Sequence, residues 1–210
     1  MALSTTLPNS FSTLLIDDLI NTFGLENNDK LIFENLEITD KNKLFLEEIS
    51  VSAIEIENWN EQELIIKYVG PILNHIDIKG ENFNTFAERN LSARVDGIRL
   101  TGKVDFVVSS GVYNPSKPYF FIQEYKQQKN PSGDPFAQLL GEMLVAQVLN
   151  GENLVYGAYI IGRFWYFVVM EKREYSVSKP FDSVDLQDLT TILSKLNWIK
   201  NWVREKVENL

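Results

Sequence analysis

Apolar residues recur every three to four positions in four parts of the chain, which is the spacing of one buried helix face. These parts are residues 11–23, 60–76, 134–149 and 185–207. Ser10 precedes the first as a candidate N-cap, and Asn60 with Glu63 forms a capping-box pattern at the start of the second. Gly70 and Pro71 lie within the second segment and predict a kink there. The pattern therefore predicts four helices.

The third helix has the clearest ends. Asp134 is a typical N-cap and Pro135 suits the first helical position, whereas Asn150 and Gly151 suit the end of a helix. Residues 31–56 are less informative because they are acidic with only short apolar runs. For that stretch the pattern leaves strand and helix open.

Runs of aromatic and β-branched residues predict strands at residues 92–100, 103–110, 119–127 and 153–161, the last one joined to a further strand by a hairpin at Gly162 and Arg163. Two turns suit the first pair of strands. Asp96–Gly97 is the stronger hairpin sequence in isolation. A turn at Thr101–Gly102 leaves residues 103–110 as a complete alternating strand, so we predict the turn there and a bulge or close approach at Gly97.

The composition predicts one globular domain over residues 1–210, since 44% of the residues are hydrophobic and 12% are aromatic. No apolar run is long enough for a membrane helix, and the first residues, MALSTTLPNSF, lack the features of a signal peptide, so we expect a cytoplasmic protein without membrane contact. The chain contains no cysteine and a single histidine, His75. Any metal ion would therefore be held by oxygen ligands, which favours magnesium or manganese over zinc.

The net charge of -9 argues against a nonspecific polyanion binder, but the charge is unevenly distributed. Residues 89–130 carry seven basic and three acidic side chains, which leaves -13 for the rest of the chain. Such a window is either a solvated face or the electrostatic footprint of a nucleic-acid site.

The predicted strand at 119–127 begins with large apolar residues and ends in QEYK. Glu124 and Lys126 lie on one side of that strand, roughly 7 Å apart. Asp105 lies in the neighbouring apolar strand, where a carboxylate needs a charged partner or a metal ion. Two interpretations are open: a structural salt bridge of Lys126, or a cation site that attracts phosphate. The similar triplet DIK at Asp77–Lys79 follows a helix, and we interpret it as a helix-end loop.

These residues and the order of elements resemble the PD-(D/E)XK nuclease superfamily. The motif consists of the acid in GKVD, the Glu-x-Lys of IQEYK and a following helix that carries Gln138. The α-β-β-β-α-β order covers about residues 58–162, with residues 1–57 and 163–210 as additions. The resemblance implies an α/β, restriction-endonuclease-like fold with a mixed central sheet flanked by helices. The chain departs from the pattern in lacking the proline before the first acid.

The resemblance implies that Asp105, Glu124 and the backbone carbonyl of Tyr125 bind Mg²⁺ or Mn²⁺. Lys126 would orient or activate the attacking water, and Gln138 would lie beside the active site. Glu63 matches loosely an additional acid of some members, although Glu57 or Glu61 would serve equally and a capping role also explains Glu63. The implied activity is that of a magnesium-dependent nuclease, a hydrolase of phosphodiester bonds, and endonuclease and exonuclease action both remain open.

The implied substrate is nucleic acid, DNA ahead of RNA, with a homodimer or a partner protein supplying specificity. Two alternatives remain. One is an acidic, catalytically inactive interaction protein that retains the fold. The other is an enzyme for a nucleotide or a small phosphorylated molecule, which suits the negative charge better than long DNA.

Overall fold

A mixed sheet of eight strands forms the centre of the protein, as seen in a computed structural model that describes residues 9–30, 33–34, 36–37 and 39–209. The strands are β1 Glu26–Asn27, β2 Phe83–Val95, β3 Ile98–Ser110, β4 Ser116–Lys126, β5 Leu154–Ile161, β6 Phe164–Glu171, β7 Glu174–Val177 and β8 Phe181–Asp182. Their order is β1-β7-β6-β5-β4-β3-β2, with β8 paired to β6. The β4–β5 and β1–β7 pairs are parallel and the other pairs are antiparallel.

Helices cover both faces of this sheet. They are α1 Ile16–Phe23, α2 Asp40–Ala53, α3 Glu61–Leu64, α4 Gly70–Ile76, α5 Pro135–Asn150 and α6 Leu186–Glu208. A π-helical turn, Ile65–Val69, joins α3 to α4, and short 3₁₀ turns lie at Phe11–Thr13 and Ile56–Asn58. The predicted α/β fold with a mixed sheet between helices is confirmed.

Alternating side chains along the central strands build one core on each face of the sheet. Phe106 and Phe121 face the core that contains α2, α3, α4 and α6, whereas Val107 and Ile122 face the core that contains α1 and α5. Both cores reach β3 and β4. These two strands are therefore held from both sides at the centre of the molecule.

The helix α5 is enclosed along most of its length. Twelve of its 16 residues are buried, because it packs on β4 and β5 and is also contacted by β2, β3, α1 and the turn at Phe11–Thr13. The long β2–β3 ribbon curls toward β7, where Arg173 donates two hydrogen bonds to the carboxylate of Asp96 at the ribbon's tip, at 2.8 and 3.0 Å. A helix that is apolar all round is the sequence expected for such a position.

The predicted helix ends agree with the structure at α3 and α5. Asn60 and Glu63 form a complete capping box at the start of α3. At α5, Asp134 accepts hydrogen bonds from the backbone of Phe136 and Ala137, and the helix ends at Gly151 in the left-handed conformation, with a φ of 70°. The Gly162–Arg163 hairpin and the last helix, α6, are also confirmed.

The predicted irregularity at Gly70 and Pro71 takes the form of the π-helical turn. The Gly70 amide donates to the carbonyl of Ile65, five residues earlier, and a Cβ on Gly70 would come within 2.8 Å of that oxygen. The chain then continues as α4, which ends at Ile76 with Asp77 as its C-cap. The DIK triplet is therefore a helix-end loop, as predicted.

The predicted turn between β2 and β3 is wrong. The chain reverses at Asp96 and Gly97, with φ of 49° and 84°, and β3 begins at Ile98. Thr101 and Gly102 lie inside β3, so the predicted strand at 92–100 spans the true turn. Gly97 is a turn residue, and the close approach occurs at Gly102, where an added Cβ would come within 2.6 Å of the Phe11 ring.

The first predicted helix, residues 11–23, is also divided. Phe11–Thr13 forms a 3₁₀ turn and α1 begins only at Ile16, while the Ser10 side chain makes no capping hydrogen bond. Phe11 and Leu14 are buried against Gly102 and Gly141, and this packing takes the place of a continuous helix. Within the open stretch 31–56, the structure shows α2 and a 3₁₀ turn. Residues 1–8, where no targeting sequence is expected, lie outside the described residues. In the part of the chain that is described, no helix is both long and apolar enough to cross a bilayer.

We expect Gly102→Ala to destabilise the protein by about 1–3 kcal/mol, because the new methyl group would overlap the base of the Phe11 ring. Urea unfolding of the variant and of the wild type measures this difference. Asn90→Ala, at an exposed position of β2, is the matched control and should change stability by less than about 0.5 kcal/mol. Equal stability of the two variants would contradict the close packing at Gly102.

Candidate active site

The ends of β3 and β4 bring Asp105, Glu124 and Lys126 together. The last regular pair of β3 and β4 is Phe106–Gln123. Asp105 and Glu124 occupy the next position of the antiparallel register, where regular pairing is absent. Beyond that point the Asp105 Oδ2 atom accepts a hydrogen bond from the Tyr125 backbone amide at 2.9 Å. A side chain thus replaces the backbone acceptor of the ladder, and this bond fixes the Asp105 carboxylate beside β4.

The Lys126 ammonium group is the centre of the cluster. Its Nζ atom lies 2.5 Å from Glu124 Oε1, 3.0 Å from the Tyr125 carbonyl oxygen and 3.8 Å from Glu61 Oε2. Lys126 therefore forms an ion pair with Glu124, as one of the two open interpretations requires. Two of its acceptors, Glu124 and the Tyr125 carbonyl, are also the atoms that the family resemblance assigns to a metal ion.

Burial changes the titration of these groups. Desolvation, followed by the nearby Asp105 charge, raises the pKa of Glu124 from 4.5 to about 8, although Lys126 opposes the shift. Desolvation also raises the pKa of Asp105. Burial alone would lower the pKa of Lys126, but the surrounding carboxylates, Glu124 first, raise it on balance. The cluster therefore holds more acid than one lysine neutralises.

A further acid, Glu142, was missed by the sequence reasoning. It lies on α5, it is fully buried, and no described residue donates a hydrogen bond of ordinary geometry to either of its carboxylate oxygens. Desolvation and then the Glu124 and Asp105 charges raise its pKa well above the usual value, which places Glu142 near the strand-end cluster. A charged residue inside the apolar stretch LLGEMLVA was the available sequence signal.

Gln138 lies one helical turn before Glu142 on the same helix and is buried. Its side chain acts on the Glu142 carboxyl, whose pKa it lowers against the stronger effect of burial. The predicted position of Gln138 beside the site thus corresponds to a place next to the buried acid of α5. Its proposed contact with substrate stays a prediction.

Glu63 is placed outside the cluster. Its carboxylate completes the capping box with Asn60 and forms an exposed ion pair with Lys67 at 2.8 Å. Of the three early acids, Glu61 is the one that approaches Lys126, and burial raises the pKa of Glu61. Among these acids, Glu61 is therefore the one that borders the strand-end cluster.

The edge strand β2 is distorted opposite the site. Pairing with β3 includes Ala87–Phe106 and Arg89–Val104 but omits Glu88, which faces Asp105 in register and has a φ of 53°. A positive φ is uncommon for glutamate and such conformations concentrate at functional sites. The Glu88 carboxylate binds Lys103 at 3.2 Å.

A cavity of about 540 Å³ opens beside Asp105. Its walls come from α3, the π-helical turn and α4 on one side and from β2 and β3 on the other, and Tyr125 also borders it. We call it the helix-side cavity. Its lining includes Glu61 and Asp105, so it is continuous with the strand-end cluster.

The basic residues of the window 89–130 do not form one patch. Lys126 is in the cluster and Lys129 follows it, with its Nζ atom 3.0 Å from Asn58 Oδ1. Lys117 lies at the opposite end of β4, roughly 30 Å away along the strand. The remaining four basic residues are spread along the β2–β3 ribbon: Arg89, Arg94, Arg99 and Lys103.

The donor set fits a hard divalent cation. Glu124 is fully buried, yet no described residue donates a hydrogen bond to its Oε2 atom. Carboxylate and carbonyl oxygens are the ligands that magnesium and manganese prefer. The described residues contain no group of three or more His, Cys, Asp or Glu side chains arranged for a metal ion. The candidate ligands are the carboxylates of Asp105 and Glu124 and, as third donor, the backbone carbonyl of Tyr125.

Comparison with protein-family models and with curated proteins finds no match for this chain.

Proposed function

We propose that this protein is a metal-dependent phosphodiester hydrolase of the PD-(D/E)XK type that acts on nucleic acid. The order α3–α4, β2, β3, β4, α5 and β5 supports a restriction-endonuclease-like core, since it is the α-β-β-β-α-β order of that superfamily. The antiparallel β2–β3–β4 unit followed by a parallel β4–β5 pair joined through α5 is consistent with this proposal.

The observation that carries the proposal is the convergence of Asp105, Glu124 and Lys126 with an excess of buried acid. A purely structural salt bridge needs one carboxylate for one lysine. Here no described residue donates a hydrogen bond of ordinary geometry to Glu124 Oε2, and the same holds for both oxygens of Glu142, a second buried carboxyl. Retaining such groups reduces stability, and strongly perturbed acids in a cleft are typical of functional sites.

The residues have different tasks in the proposed reaction. Asp105, held by the Tyr125 amide, and Glu124 would bind Mg²⁺ or Mn²⁺ together with the Tyr125 carbonyl. A bound divalent cation would supply positive charge that draws in and polarises the substrate phosphate. Lys126 would release the two acceptors that it now shares, orient the attacking water and offset negative charge that develops on the phosphate.

Direct assays test this proposal. The protein is titrated with Mn²⁺ and incubated with plasmid DNA, single-stranded DNA and RNA, with and without a chelator. Chelator-sensitive cleavage of any of these substrates is expected. Binding of Mn²⁺ without cleavage of any nucleic acid would contradict the nuclease and favour an enzyme for a smaller phosphorylated molecule. Absence of both would favour the inactive interaction protein.

The placement of the lysines gives a matched pair of variants. Lys129→Glu, next to the site, should weaken nucleic-acid binding and reduce the slope of log K against log salt by about 1 or more, because fewer counterions are released. Lys117→Glu makes the same charge change at the far end of β4 and should leave the slope unchanged. Binding titrations at several salt concentrations measure both slopes, and equal slopes for the two variants would assign Lys129 to ordinary surface.

A further inference from the structure

The helix-side cavity adjoins the proposed catalytic cluster without being required for its chemistry. Its volume of about 540 Å³ falls within the range of about 300–1,000 Å³ typical of small-molecule sites. Asp105 is part of its lining, so a phosphate bound at Asp105 would border the cavity. A group attached to that phosphate on this side would enter the cavity.

The long wall of the cavity is apolar. Ile65, Val69 and Leu73 line it from the helical side, and Phe106 lines it from β3. Ala87 on β2 contributes only a methyl group and is exposed, which leaves the opposite wall low and open. Such a surface suits the flat face of a ring and offers nothing to a hydrated ion.

The charges around the cavity oppose a second phosphate. Its lining includes four acidic residues and one basic residue: Glu61, Asp77, Glu88, Asp105 and Lys79. A phosphodiester chain inside the cavity would face a lining of net negative charge, although lysines pair with Glu61, Asp77 and Glu88. An uncharged group that carries hydrogen-bond donors meets no such barrier.

Polar groups for the edge of a ring are also present. Gln62 and Asn74 are exposed and line the cavity. The side-chain amide of each forms no hydrogen bond with another described residue. An amide offers both a donor and an acceptor, and Glu61 offers acceptors for an amino group. Apolar walls with a few convergent polar groups are typical of sites for planar organic ligands.

We propose that the helix-side cavity receives one unstacked nucleobase of the substrate, next to the phosphate held at Asp105. The substrate is then a nucleotide whose base is free of a duplex, in a single strand or as a free mononucleotide. This inference rests on the proposed function, since it uses the strand-end cluster as the phosphate site. Reading an extruded base requires its removal from the stack, which costs least in single strands.

The test compares two ligands of equal charge by fluorescence anisotropy in the presence of Mn²⁺. One is a short single-stranded DNA with phosphorothioate linkages, and the other is a deoxyribose-phosphate oligomer of the same length and linkage that carries no bases. The wild type should bind the DNA about tenfold more tightly, as one well-placed base contributes. Equal affinities for the two ligands would overturn the inference.

Ala87→Trp fills the cavity from its low wall and should abolish the preference for bases while leaving the affinity for the base-free oligomer unchanged. Asn90→Trp, at an exposed position of the same strand outside the cavity, is the control and should keep the preference. A preference that survives Ala87→Trp would place the bases elsewhere and overturn the inference. If Ala87→Trp lowers the melting temperature relative to Asn90→Trp, the Gln62→Ala, Asn74→Ala double variant replaces it, and a loss of preference of several-fold is expected.

Further ligands identify the source of the base. A fully paired duplex should bind no better than the base-free oligomer, and tight duplex binding that is insensitive to Ala87→Trp would overturn the inference. Competition by a deoxynucleoside monophosphate, but not by deoxyribose phosphate, would support it with a free nucleotide as the source. Cleavage assays on the same chains with ordinary linkages separate the two proposals. Cleavage without a base preference removes the inference alone, and a preference that depends on Ala87 without cleavage removes the nuclease alone.

Discussion

Asp105→Asn should abolish Mn²⁺ binding and cleavage while leaving the folded structure intact. The asparagine side-chain oxygen can still accept the Tyr125 amide hydrogen bond, so the local geometry persists although the ligand charge is lost. Lys126→Met should retain Mn²⁺ binding, and tighten it, because the ammonium no longer occupies Glu124 Oε1 and the Tyr125 carbonyl. Its cleavage rate should fall about a hundredfold or more. Calorimetric titration with Mn²⁺, cleavage assays and thermal melts measure these effects.

The structural salt bridge predicts a different pattern for the same variants. Removing Lys126 would leave the Glu124 carboxylate without its partner and lower stability by about 3 kcal/mol, with no metal dependence. Asp29→Asn and Lys30→Met, at exposed neighbouring positions, are the controls and should leave metal binding, cleavage and melting unchanged. Failure of the wild type to bind Mn²⁺, together with a large loss of stability in Lys126→Met, would refute the nuclease assignment.

Glu142→Met should stabilise the metal-free protein, by about 1–3 kcal/mol at pH 8 and by less at pH 5. The pKa of buried Glu142 is raised, so the folded state retains a proton that the unfolded chain releases above about pH 4.5. Stability therefore falls as the pH rises above 4.5. Glu124 also makes stability fall as the pH rises, between its ordinary pKa of 4.5 and its raised pKa of about 8. The raised pKa values of Asp105 and Glu61 act in the same direction. Replacing Glu142 removes one of these contributions and should flatten the pH dependence of unfolding.

Urea unfolding at several pH values between 5 and 8 measures this effect. Glu142→Gln is the matched variant, since it keeps the size and polarity of the side chain but cannot ionise. It should flatten the pH dependence as Glu142→Met does, with a smaller gain in stability, because its amide would also lack hydrogen-bond partners. A pH dependence equal to that of the wild type in both variants would show that the pKa of Glu142 is the same in the folded and the unfolded protein.

Short sequence motifs correctly predicted the helix ends, which depend on hydrogen bonds between residues close in the chain. The Asp134 cap, the Asn60–Glu63 capping box and the Gly151 helix end are confirmed because each involves residues a few positions apart. Strand alternation and the adjacency of consecutive strands were sufficient to predict that Asp105, Glu124 and Lys126 lie close together. These residues meet because β3 and β4 are consecutive in the chain and pair with each other.

The errors involve contacts between distant residues. The turn lies at Asp96–Gly97, where the local hairpin signal is stronger, although the alternation of residues 103–110 favours Thr101–Gly102. The reason for a glycine at 102 is the ring of Phe11, and no local pattern shows that contact. Likewise, Glu142 is a site candidate because α5 packs on β4 and brings this acid near Glu124, a contact that helix periodicity cannot reveal.

The enclosure of α5 has a consequence during synthesis of the chain. When α5 leaves the ribosome, the β2–β3 ribbon has been made, but β5, which completes its pocket, has not. A nascent chain paused at this point would expose a helix that is apolar all round, a species prone to aggregation or to capture by chaperones. Folding of this core is therefore complete only once β5 has emerged and paired with β4 beside α5.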